Sequence, residues 1–178
     1  MPPLRSEVTR KTAARAETGT EPAEPPIGPS IPPGEGHARA AGRALHISKL
    51  RGITGRVRAQ LKRQGITYTD QLLAAAGPRG HRWQLALKSG IERATLARLA
   101  CRADLSRIKG IGAIFADMLE LLGVDRVVRL ARQDPAGLHR ALLELNAAER
   151  FARRAPTPDE VRRWIEQARD LPPLVDDS

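Results

Sequence analysis

Catalysis needs particular residue types brought close together, and this sequence offers few candidates. Its four histidines are His37, His46, His81 and His139, and none stands at metal-ligand spacing from another histidine, a cysteine or an acid. The single cysteine, Cys101, lies in the apolar run LACRADL and reads as a small buried hydrophobe. No serine sits in a motif that would give it a histidine base. The stretch GPRGHRW at 77–83 lacks the Gly-Lys-Ser/Thr ending of a nucleotide-phosphate loop. Asp159 and Glu160 are accounted for by helix capping. The expectation is therefore a non-enzyme, with no catalytic residue, no metal and no cofactor.

Glycine and positive charge are the remaining signals. The chain has 178 residues, 30 Lys and Arg against 20 Asp and Glu, and a formal charge of +10. Polyanions are the natural partners for such a balance, although an ordinary solvated basic face gives the same number. The charge is unevenly placed. Residues 44–103 hold 12 basic and 2 acidic residues, whereas residues 104–169 hold 12 and 10.

The chain also matches itself at an offset of 58 residues. KLRGIT at 49–54 aligns with RIKGIG at 107–112, Leu61 with Leu119, Gly65-Ile66 with Gly123-Val124, and Leu72 with Leu130. In the second copy the spacing reads as a helix ending at Ile108, a tight turn through Gly110-Ile111-Gly112, and a new helix carrying Ala116 and Leu119. Glycines permit positive φ and close backbone approach to a partner. The helix after the turn starts with free N–H groups and the positive end of its dipole, which suits a phosphate. This is the helix-hairpin-helix pattern. In the first copy Thr54 stands where the second has Gly112, and Gly55 follows it.

Over 44–173 the chain resembles the DUF4332 family, a domain of unknown function with tandem helix-hairpin-helix units. The resemblance rests on ADLSRIKGIG at 103–112, LLGVDRVVRLARQDPAGLHRALLELN at 121–146 and APTPDEVRRWIEQARDLP at 155–172. It implies an all-α, SAM-like helical domain. Because the family has no assigned function, it implies no activity.

The elements that must position the turns are helical. Aromatics are only 3% of the chain, so the core must be Leu, Ile, Val and Ala, and no sustained period-2 run appears. Val57 and Leu61 mark a helix over 55–64, with Gly65 at its C-terminal stop. Thr69 is placed to cap a helix carrying Leu72 and Leu73, which Gly77-Pro78 ends. A third helix, near 80–88, carries Trp83, Leu85 and Leu87. A fourth, over 92–102, places Leu96 and Leu99, and Leu105 to Ile108 follow after a short joint. Phe115, Met118, Leu119 and Leu122 mark 113–122. Asp134-Pro135 opens a helix with Leu138, Leu142 and Leu143. Thr157-Pro158-Asp159-Glu160 is a capping box, and Val161, Trp164, Ile165 and Ala168 follow at helical spacing, which makes Trp164 a core residue. About eight or nine short helices are expected.

The expected organisation is a disordered Pro/Gly-rich leader over 1–43, which holds 8 of the 14 prolines, and one helical domain over 44–173. Within the domain the first unit covers about 44–103, the second about 104–155, and a C-terminal helix 158–169, before a tail at 174–178. The N-terminus has no apolar h-region and no run approaches the roughly 20 apolar residues of a membrane span. With one cysteine no internal disulfide can form, and a cytoplasmic location is expected.

The first unit surrounds its turn with Lys49, Arg51, Arg56, Arg58, Lys62 and Arg63. The second has Arg107 and Lys109 before its turn but Asp117 and Glu120 after it. The expected site is therefore those basic residues together with the backbone of Gly52, Thr54, Gly55, Gly110 and Gly112, meeting the phosphate backbone of DNA or RNA. No helix reads bases, so sequence specificity should be low. The alternative is a protein–protein adaptor whose basic face meets an acidic partner.

Overall fold

The computed structural model describes residues 44–176. The expected leader, 1–43, lies outside the described residues, as do 177–178. Among the described residues there are eight α-helices and no strand, only an isolated antiparallel bridge between His46 and Tyr68. After a 3-10 turn at Ile47–Lys49 come α1 (Gly55–Arg63), α2 (Thr69–Ala76), α3 (Arg79–Ser89) and α4 (Arg93–Leu105). Then follow α5 (Ala113–Leu121), α6 (Val127–Ala131), α7 (Pro135–Glu149) and α8 (Pro158–Asp170).

The 58-residue repeat is visible in the backbone. Gly52 and Gly110 both have positive φ, at 78° and 100°, and so do Gly65 and Gly123, at 75° and 77°. Each helix after a turn closes in the same way: the Ile66 amide donates to the Leu61 carbonyl at 3.0 Å and the Val124 amide to Leu119 at 2.8 Å. These bonds to the carbonyl five residues back, over a left-handed glycine, satisfy the carbonyls a helix end leaves open. Packing repeats as well. α1 packs on α3 as α5 does on α7, α2 on α4 as α6 on α8, and α3 on α4 as α7 on α8.

Each four-helix unit has its own apolar core. The first gathers Leu61, Leu72, Leu85, Leu96 and Leu99. The second gathers Leu105, Leu119, Leu130, Leu142 and Trp164. α4 belongs to both, since its body packs into the first core and Leu105 into the second. The helix runs unbroken through Leu105, so the expected joint before that residue is absent, and the turn begins there rather than after Ile108. Trp164 is buried in the second core, as its spacing demands.

Several caps follow the sequence and one does not. Asp134 Oδ2 accepts from the Gly137 amide at 2.7 Å. Thr157 Oγ1 accepts from the Glu160 amide at 3.2 Å, and Glu160 Oε2 accepts from the Thr157 amide at 2.8 Å. The Arg154 guanidinium beside Glu160 helps hold that carboxyl down at about 2. The cap of α2, however, is Tyr68, not Thr69. Thr69 is buried one position inside, where its hydroxyl accepts from the Leu45 amide at 3.0 Å. Gln71 Oε1 instead accepts from the amides of Thr67 and Tyr68.

α3 also faces differently from its apolar pattern. Leu85 is buried, but Trp83 is 52% and Leu87 66% exposed. Arg82 turns inward instead, donating to the carbonyls of Ala76 at 2.8 Å and Gly77 at 2.7 Å, which closes the C-terminal end of α2. Val175 and Asp176 of the tail are engaged by the first unit. Val175 enters the first core, the Asp176 amide donates to the Gly77 carbonyl, and Asp176 Oδ2 accepts from the Arg79 amide.

Cys101 is buried on α4, and burial pushes its thiol up to about 11. Native protein at about pH 8 should therefore react with iodoacetamide more than about a hundredfold more slowly than unfolded chain. Rapid labelling without denaturant would contradict this burial.

Candidate functional site

The two turns use glycine for different jobs. At Gly110 an added Cβ would lie 2.7 Å from Trp164 Nε1, so the close approach that glycine permits is to the protein's own core. Gly112 has φ −85° and nothing near its Cβ position. It is the N-cap of α5, a conformation open to any residue. Thr54 occupies the matching place before α1 with φ −79° and ψ 159°, and there its hydroxyl accepts from the Val57 amide at 3.2 Å. The replacement of glycine by threonine in the first copy thus improves the cap and leaves the turn unchanged.

The expected basic residues separate into two groups. Arg107 is withdrawn from any surface site: its side chain is only 8% exposed, 2.6 Å from Asp104 Oδ1 and 2.9 Å from the Pro172 carbonyl. A basic residue just before a turn looked available, but Asp104 on α4 and the chain after α8 claim it. Arg51 is half committed, with Nη1 2.7 Å from Asp117 Oδ2 on α5. The same acidic helix holds Arg102, whose Nε and Nη2 lie 2.8 and 2.7 Å from Glu120 Oε2.

By contrast Lys49, Arg56, Arg58, Lys62 and Arg63 are all exposed, and none makes an ion pair among the described residues. Four of them lie on α1, which has no acidic residue. Val57 and Leu61 face inward, so the cations ring the opposite side. Two, Arg56 and Arg58, sit in the first turns, where positive charge opposes the helix dipole. With Val57 capped by Thr54, the amides of Gly55 and Arg56 have no acceptor among the described residues. Gly55 is exposed and open above its Cβ position.

The second turn is different in character. Lys109 is exposed, but its amide is occupied by Gln167 Oε1 at 2.9 Å. Gly110, Gly112, Ala113, Ile114, Phe115 and Ala152 line a hollow that is apolar beyond the backbone. The structure therefore brings the first group together around α1 and leaves Gly110 and Gly112 on a separate turn whose one exposed cation is Lys109.

The sequence reading overlooked Thr95, Arg98 and Arg102. They share one face of α4, with Arg51 and Gly52 lining the other side of the same pocket. Their helical spacing was legible, but nothing local showed that the face meets the first turn. Among the described residues no group of three His, Cys, Asp or Glu could hold a metal ion. Among them also, no helix is long and apolar enough to cross a membrane.

A family model described as "Domain of unknown function (DUF4332)" matches residues 51–171. No curated protein and no solved structure matches.

Proposed function

We propose that this chain, which belongs to the DUF4332 family, is a non-enzymatic module that binds the nucleic-acid phosphate backbone without sequence preference. Its two turn-and-helix units are read as helix-hairpin-helix elements, of which the first grips and the second holds the fold. The observation that carries this reading is α1: four exposed, unpaired cations, no acid, and two arginines placed against the helix dipole. Such an arrangement is locally unfavourable in the free protein and becomes favourable when an anion sits at the helix start. Lys49, Arg56, Arg58, Lys62 and Arg63 supply the charge, and the amides of Gly55 and Arg56 supply directed donors for phosphate oxygens.

The test is charge reversal on the exposed face. Arg56→Glu with Lys62→Glu should weaken binding to a random-sequence duplex about tenfold or more near 50 mM salt, with the thermal midpoint unchanged within a few degrees. Undiminished binding by a folded variant would remove α1 from the interface.

A second reading, a protein–protein adaptor, draws on Trp83 and Leu87, which stand one turn apart on α3 and are largely exposed. Nuclease treatment separates the two, because an adaptor retains its partner when nucleic acid is destroyed.

A further inference from the structure

We propose that the first unit also carries a discrete oxyanion pocket that takes a single phosphoryl group, formed by Arg51, Gly52, Thr95, Arg98 and Arg102. The pocket lies between the Gly52 turn and α4 and encloses about 90 Å³. One water needs roughly 10–15 Å³ of such space. The pocket therefore has room for a tetrahedral oxyanion group.

Its walls are chemically suited to that guest. Thr95, Arg98 and Arg102 stand at i, i+3 and i+7, so one helix face presents a hydroxyl and two guanidiniums. Across from them the chain turns at Gly52 with φ 78°, and an added Cβ there would lie 2.8 Å from Arg102 Nη1. Glycine lets the turn close onto the guanidinium, and Arg102 Nη1 donates to the Arg51 carbonyl at 2.5 Å.

The two acids of α5 act as a brace behind the pocket. Glu120 fixes Arg102 through Nε and Nη2, and Asp117 holds Arg51 through Nη1 at 2.7 Å. These contacts orient two guanidiniums that would otherwise be flexible, and leave Arg51 Nε and Nη2 unused. Arg98 is exposed and has no acidic partner among the described residues. Three guanidiniums around so small a space repel one another, and only two carboxylates offset them. A phosphoryl group supplies the missing negative charge and accepts in the forked geometry that arginine favours.

The required chemistry is a phosphoryl dianion, carried either by the 5′ end of a nucleic-acid strand or by free inorganic phosphate. The strand-end source rests on the backbone-binding reading above; the pocket itself does not. The experiment compares two single-stranded 12-mers of one sequence, with and without a 5′-phosphate, by fluorescence anisotropy on the full chain. A parallel titration with inorganic phosphate follows the arginine side-chain N–H signals by NMR.

The phosphorylated strand should bind about tenfold tighter. Arg98→Ala should erase that preference and leave the 5′-hydroxyl strand within about twofold of its original affinity. Inorganic phosphate should shift the signals of Arg51, Arg98 and Arg102 saturably. Shifts without discrimination between the strands would assign the pocket to free phosphate. Should neither strand bind, the backbone reading fails alone and the phosphate titration still decides the pocket. Equal strand affinities with no arginine shifts, or a preference that survives Arg98→Ala, would overturn the proposal.

Discussion

Asp104→Ala should lower the unfolding free energy by about 3–5 kcal/mol, the usual cost of removing one partner from a buried ion pair. Asp104 is 1% exposed and serves two elements at once. Its Oδ1 lies 2.6 Å from Arg107 Nη1, and its Oδ2 accepts from the Val127 amide at 2.9 Å. The second bond caps α6 from another helix, because Arg126 at the N-cap provides no side-chain acceptor. Burial pushes the Asp104 carboxyl above the usual range, and the Val127 amide and Arg107 pull against that shift. The alanine variant would leave Arg107 buried without its anion, although its Nη2 already lacks a partner, and would leave the start of a five-residue helix open. Asp104→Asn should recover part of the loss, since an amide oxygen can still accept from Val127. Urea denaturation with an unchanged m-value measures both. A loss below about 1 kcal/mol for the alanine variant would contradict the role assigned to this carboxylate.

Gly110→Ala should cost about 2–3 kcal/mol, whereas Gly112→Ala, two residues away, should cost less than about 1 kcal/mol. At Gly110 two penalties combine. A φ of 100° is poorly tolerated by L side chains, and the added methyl would press on Trp164 Nε1 at 2.7 Å. That indole is 2% exposed and packed within the second core, so it cannot swing aside cheaply. Gly112 has ordinary backbone angles and open space, and loses only the preference for glycine over alanine at an N-cap. Thermal midpoints of the two variants provide the comparison. Equal losses would mean that the turn tolerates a side chain at Gly110, and would undo the assignment of that glycine to core packing.

How much of this was legible in the sequence depends on how local each cause is. The repeat was legible because a left-handed turn strongly favours glycine, and such glycines recur at Gly52 and Gly110 and again at Gly65 and Gly123. The caps at Asp134 and Thr157 were legible because donor and acceptor lie within three residues. Asp104 was not, because its partner amide is 23 residues away on another helix. Arg82 buried and Trp83 exposed reverse the usual preference of their side chains for the same reason. Arg82 is drawn in by the open carbonyls of Ala76 and Gly77, and Trp83 is left outside. The site was legible to the extent that charge alone defined it. Lys49, Arg56, Arg58, Lys62 and Arg63 remain exposed. Arg107 was lost to a buried pair, and Arg51 was partly claimed by Asp117 on the facing unit.

That division also sharpens the functional proposal. The turn with two glycines belongs to the unit whose surroundings are apolar and whose helix α5 is acidic. The turn with Thr54 belongs to the unit with the unpaired cations. The 58-residue repeat thus supplies two copies of one scaffold that have diverged in surface charge while keeping the same backbone path.

The most direct measurement is the affinity for a random-sequence duplex across a salt series from about 20 to about 200 mM. Five exposed, unpaired cations around α1 predict a plot of log K against log salt with a slope of about −3 to −4.5. The Arg56→Glu, Lys62→Glu variant should reduce its magnitude by about two. A slope near zero, or no binding at the lowest salt, would contradict the account.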